Sequence, residues 1–204
     1  MEKRFTEKES LELISQMIKQ TKQGFEVGSG NILLFYGYLS LASAALVYAV
    51  CTLTHQMAWH GLWFLLFVPM LVRKFTAKRH KPEVVTYIDR AVSGVWEVVT
   101  ELFFVTLAVL LVVKMAFGEA NFTLMMPLSL LYVGFGVAAT GVITKERSMI
   151  YTPIVAFLAG IYMLNALSTG AHPILMWNLI CGLAFFVMLV IPGHILNYKS
   201  KSND

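Results

Sequence analysis

Glu97 and Glu101 lie four residues apart inside the apolar run GVWEVVTELFFVTLAVLLVV, residues 94–113. On a helix this spacing stacks two carboxylates on one face, together with Arg90 and Gly94. A charge near the middle of a membrane-spanning helix costs about 2.5–3.5 kcal/mol on insertion scales. Neither glutamate can be shifted outside the run, because residues 102–113 alone are too few to cross a bilayer core of about 30 Å. Stacked carboxylates repel, so such a pair calls for a shared proton, a basic partner or water. The chemistry on offer is proton exchange or cation binding. Glu101 is the candidate ionisable centre, Glu97 its coupled neighbour, and His194 in IPGHILN a candidate relay. A second reading is purely structural: a polar knot holding helices in register, with Arg90 reaching back to Glu97. Tyr36, Tyr38, Asn31, Arg73, Lys74, Tyr151 and Thr152 lie at matching depth on other runs and are further candidates to face the pair.

Other chemistry-bearing residues are sparse. His55 and His60 share a side with His172, but a five-residue step does not put the first two on one helical face, and they read as boundary histidines rather than metal ligands. Cys51 and Cys181 stand alone and read as small residues packed between helices. No HExxH, GxSxG or P-loop pattern occurs. Neither an enzyme nor a metal or other cofactor is expected.

The elements that position these groups are apolar helices. The chain is 57% hydrophobic and 14% charged, with mean hydropathy +0.68; soluble domains carry about 25% charged residues. Six long uncharged runs occur at 31–53, 57–72, 95–113, 122–143, 149–167 and 173–193. They are continuous rather than alternating, which points to helices. The expected fold is all-α: a polytopic integral membrane protein with six transmembrane helices and an N-terminal amphipathic cytoplasmic helix. The expected units are residues 1–30, a transmembrane domain over 31–198, and a tail over 199–204.

All lysines and arginines except Lys114 fall before the first run, between the second and third, between the fourth and fifth, or after the sixth. The positive-inside rule then puts both termini in the cytoplasm. The net charge of +4 follows topology and does not call for nucleic acid. The start MEKRFTEKES is charged and does not read as a cleavable signal peptide. With short outer loops, a cell inner (plasma) membrane is the expected location. Trp59, Trp63, Tyr162 and Trp177 fall near the outer boundary, and Tyr36, Tyr38, Trp96, Tyr151 and Tyr198 near the inner one.

Thr6 and Glu9 form a capping box, and Leu11, Ile14, Ile18, Thr21 and Phe25 follow as one apolar stripe. Gly24, Gly28 and Gly30 are expected to break the helix before the first span. The stripe suits either the inner leaflet or a protein partner, a second copy of the chain included. Leu11, Ile14 and Ile18 are the candidate partner-binding residues. The basic loop over residues 73–90 suits anionic lipid at the inner leaflet.

Gly134, Ala138 and Gly141 mark a close-packing side on the fourth run, and Ala156 and Gly160 one on the fifth. LLFYGYLSLASA (33–44) aligns without gaps with LLYVGFGVAATG (130–141), pairing Leu33 with Leu130, Gly37 with Gly134 and Ser43 with Thr140. A duplication of three spans would give an inverted repeat, a plan common among transporters. The sequence therefore points first to a small transporter or channel-like protein for a proton-linked or cationic solute. The other reading is a membrane scaffold or regulatory subunit acting through its N-terminal helix.

Overall fold

A computed structural model describes the backbone of residues 7–76, 87–171 and 174–202, and the side chains of 30–56, 58–72, 87–171 and 174–199. Among these residues there is no strand. The order is α1 (Glu7–Thr54), a 3-10 helix η1 (Met57–Phe67), α2 (Val68–Thr76), α3 (Tyr87–Phe117), a 3-10 turn η2 (Phe122–Leu124), α4 (Met125–Thr144), α5 (Arg147–Tyr151), α6 (Ile154–Ser168) and α7 (Met176–Ser202). Five described stretches are long and apolar enough to cross a membrane: Gly30–Thr54, Tyr87–Phe117, Phe122–Thr144, Arg147–Ser168 and Met176–Lys199. The chain is an all-α polytopic membrane protein.

The remaining apolar run is shorter, Ala58–Val72. Its first part is 3-10 helix, which rises about 2.0 Å per residue against 1.5 Å in an α-helix. From Met57 to Val72 the stretched form reaches about 30 Å, where a regular α-helix would reach roughly 24 Å. A run too short to cross as an α-helix thereby matches the thickness of a bilayer core.

α1 departs from the sequence reading. It is one 48-residue helix that passes through Gly24, Gly28 and Gly30 without a break. Glycine weakens a helix interior by about 1 kcal/mol and does not by itself end it. Thr6 of the capping box lies outside the described residues, as do the side chains of Leu11, Ile14 and Ile18.

The core seam joins α1 to α7. Gly30, Leu33, Gly37, Ser40, Ala44, Val47 and Cys51 are buried on α1, at alternating steps of three and four. That is the spacing of a coiled-coil seam, and most of these residues are small enough for backbones to approach closely. A Cβ on Gly182 of α7 would collide with the Cβ of Ala44, and one on Gly37 would stand 2.5 Å from Val190 Cγ2. Pro192 sits inside α7, and its missing N–H leaves the carbonyl of Met188 without its helical donor. The Thr152 hydroxyl shares its proton between the Ser148 carbonyl at 2.9 Å and that carbonyl at 3.3 Å, a partial repair that also touches the start of the fifth span to α7. The small residues of the fourth and fifth spans meet as their spacing suggested: Gly134 faces Ala156 and Phe157, and Gly160 faces Leu131 and the Pro127 carbonyl.

The aligned segments 33–44 and 130–141 also agree in burial. Leu33, Gly37, Ser40, Ser43 and Ala44 are buried, and so are their counterparts Leu130, Gly134, Val137, Thr140 and Gly141. The packing partners correspond as well: α1 packs on α7 and η1, and α4 on α3 and α6. The correspondence stops short of the glycines, since Gly37 abuts α7 whereas Gly134 abuts α6.

At the basic end of the bundle Glu146 caps α5 and accepts a 2.6 Å ion-paired hydrogen bond from Lys199 of α7. Burial works to raise the Glu146 pKa, but the hydrogen bonds from Lys199 and Ser148 outweigh it and hold the carboxyl below its ordinary value. The pair therefore stabilises the fold above the ordinary carboxylate range, and this contribution is lost as pH falls through the lowered Glu146 value. Lys199 is 53% exposed, so the contribution is at most about 1 kcal/mol. Lys199→Ala should lower the melting temperature slightly at pH 7 and not at all once Glu146 is protonated. Melts of both proteins across an acid titration check this.

Candidate functional site

α3 sets the position of the carboxylates. Glu101 stands about 21 Å from the first residue of this helix, close to its midpoint. Val99 is buried against α4, where a Cβ on Gly136 would lie 3.0 Å from Val99 Cγ2. Thr106 Oγ1 and the Tyr132 hydroxyl, 2.9 Å apart, fix the antiparallel register of α3 and α4. Glu97 and Glu101 are two residues to either side of Val99, and so point about 160° away from it. Both are exposed. Neither makes a hydrogen bond or ion pair with another described residue, Arg90 included. The sequence suggested a pair turned toward neighbouring helices; the structure turns it away from α4, the helix on which α3 mainly packs.

Both glutamates belong to the lining of a cavity of about 1660 Å³ between α1, η1, α3, α4 and α7, and so does Val99 on the opposite side of α3. Tyr36, Trp63, Trp96 and Tyr132, with several phenylalanines, contribute aromatic faces to a wall that is otherwise largely aliphatic. Asp89 adds a third carboxylate, and no lysine or arginine is among the lining residues described. Between η1 and α3 the wall is a seam of phenylalanine rings. Phe67 lies 4.9 Å from Phe103 and 5.4 Å from Phe104, and Phe64 lies 6.2 Å from Phe103. The seam sits within a turn of Glu101.

His194 is not brought to this cavity. Its Nε2 is 3.2 Å from the Tyr38 hydroxyl, on an exposed part of the α1–α7 pair. Of the other groups considered as facing the glutamates, Tyr36 alone among the described ones reaches the lining. Asn31 bonds Asn197, Thr152 bonds Ser148 and Met188, and Tyr151 is exposed. Arg73 and Lys74 have side chains outside the described residues. Among the described residues no group of three or more histidines, cysteines or acids gathers as a metal site.

Comparison with family models, curated proteins and solved structures gave no significant match.

A polar cluster at the opposite end of the cavity was not legible in the sequence. Asn178 is fully buried on α7. Its Oδ1 accepts from Trp63 Nε1 at 2.9 Å, and its Nδ2 donates to the Leu175 carbonyl at 3.1 Å. This fixes the amide, so Nδ2 also faces His60 Nε2 at 3.2 Å as the donor. His60 Nδ1 then carries the ring proton toward Cys51 Sγ, 3.8 Å away. The sequence pattern puts His60, Trp63 and Trp177 at a boundary, yet Trp177 is only 2% exposed. Trp59, Tyr151, Tyr162 and Tyr198 do face outward. The one available signal was Asn178 itself, an amide within an apolar run, where a polar side chain needs a partner. Asn178→Leu should strand the Trp63 donor and cost about 1–3 kcal/mol. A double-mutant cycle with Trp63→Phe, read by unfolding in detergent, should give a clear coupling between the two.

Proposed function

We propose that the chain is a small transporter or channel-like protein for a proton-linked or cationic solute, with Glu101 as the ionisable centre and Glu97 as its neighbour. One observation carries this reading: two carboxylates without a described partner line a large cavity in a bundle of apolar helices. An ionisable group at this depth is expensive, and the favourable state requires a proton, a cation or water beside it. The agreement in burial between residues 33–44 and 130–141 supports an inverted repeat, the plan of many carriers. The uneven spread of lysine and arginine supports a cell inner membrane with both termini in the cytoplasm, and the basic stretch 73–90 suits anionic lipid there. His194 has no part in this mechanism, since its partner is Tyr38. The reading is tested by proton and monovalent-cation flux in proteoliposomes, wild type against Glu101→Gln; an unchanged flux would overturn it.

A second reading rests on α1. Its 23 residues ahead of the span starting at Gly30 continue the same helix for about 34 Å. A rigid arm of that length, striped by Leu11, Ile14 and Ile18, suits a protein partner or a second copy, which makes the chain a scaffold or regulatory subunit. Deleting residues 1–23 should then strip specific proteins from a membrane pull-down, whereas the carrier reading leaves that list the same.

A further inference from the structure

We infer that the cavity takes an amphiphilic organic cation, a single positive centre on a bulky apolar body, admitted sideways from the bilayer. The inference rests on the transport reading of the same cavity and names its ligand class.

Size decides against a bare ion. A drug-sized ligand occupies a site of about 300–1000 Å³, and this cavity holds about 1660 Å³. A dehydrated divalent cation would need six or more oxygen ligands at one point, and among the described residues no three acids, histidines or cysteines gather in that way. The largely aliphatic and aromatic wall suits an apolar body. Trp63, Trp96 and Tyr132 add ring faces that attract a cation.

Charge decides the sign. Asp89, Glu97 and Glu101 line the cavity with no lysine or arginine among the described lining residues, so the fixed charge of the described wall is negative and favours a cation. Position decides the route. Glu97 and Glu101 sit on the flank of α3 that also exposes Val98, Leu102 and Val105, and these suit lipid. An amphiphile lying in the bilayer would bring its charged centre to the glutamates and its body to the cavity. The barrier between is the seam of Phe64, Phe67, Phe103 and Phe104, held by ring contacts. One side of that seam is the 11-residue 3-10 helix η1, a form that rarely persists beyond a few residues and often marks a hinge.

The test is binding of tetraphenylphosphonium to the full chain in phosphatidylcholine nanodiscs, followed by tryptophan fluorescence and equilibrium dialysis. Tetraphenylborate serves as the probe of equal shape and opposite charge. Saturable binding of the cation alone is expected, weakened about tenfold or more in Glu97→Gln/Glu101→Gln. That variant must melt no lower than wild type, and Glu119→Gln, outside the cavity, must bind as wild type does. Phe67→Ala should speed both association and release. Equal binding of the borate, unchanged binding by the double variant, or no saturable cation site would overturn the inference. So would a Leu102→Cys dimer that cross-links efficiently and excludes the probe, for then a second copy covers the glutamates. Tetraphenylphosphonium binding without flux of any cation would leave this inference standing and overturn the transport reading. Glu101-dependent proton flux without a probe site would do the reverse.

Discussion

Glu101→Gln is expected to reduce cation or proton flux in reconstituted vesicles by about tenfold or more while leaving the protein at least as resistant to heat. The two outcomes belong together. Glutamine keeps the volume and removes the charge. An acidic group near the midpoint of α3 costs about 2.5–3.5 kcal/mol when ionised among apolar surroundings, so neutralising it relieves the fold. A residue that is costly to the fold and needed for activity should separate in this way. Glu97→Gln should act in the same direction with a smaller effect, because Glu97 is one turn nearer the basic end. Glu119→Gln, in the exposed turn after α3, should change neither flux nor melting. A drop in melting temperature together with lost flux would instead mark Glu101 as structural.

Gly182→Ala is expected to lower the melting temperature sharply. The new Cβ would occupy the place of the Ala44 Cβ across the α1–α7 seam, with the Ser40 carbonyl 3.5 Å away. Helices cannot separate locally, so the strain spreads along a seam that is also tight at Gly37 and Gly193, where a Cβ would stand 2.5 Å from Val190 Cγ2 and 3.0 Å from the Gly30 carbonyl. Overpacking of this kind costs about 1–3 kcal/mol. Gly94→Ala supplies the contrast: a Cβ there meets nothing within 4 Å, and a helix interior gains up to about 1 kcal/mol from the change. Ala44→Gly placed beside Gly182→Ala should restore most of the loss, since it removes the atom that is struck. Melting curves of the four proteins in one detergent check this, and a Gly182→Ala protein that melts with wild type would refute the account of the seam.

The sequence made the helices visible because lipid imposes one rule on every crossing: backbone groups must pair within the segment, and side chains must be apolar over its length. Five spans are read directly from that rule. It also put Glu97 and Glu101 well inside the third run, since position along a helix needs no neighbours. Cys51 and Cys181 are buried between helices, as small isolated thiols should be. The glycines before the first span misled, because glycine permits a break without requiring one.

What the sequence could not supply was direction. A helical wheel orders side chains around α3 but says nothing of where α4 or η1 lies. The buried Val99 shows that the glutamates face away from α4. Trp63 and Asn178 are 115 residues apart in sequence, and no local pattern pairs them. The 3-10 winding of η1 is equally a product of context: a span of too few residues stretches to the thickness set by its longer neighbours. Composition and periodicity alone thus established an all-α membrane protein and placed its acidic pair within an apolar run, because lipid as solvent demands long apolar helices. Which side of α3 packs on α4, and which polar groups meet across helices, was decided by tertiary packing, because those facts depend on relative rotations that no single helix encodes.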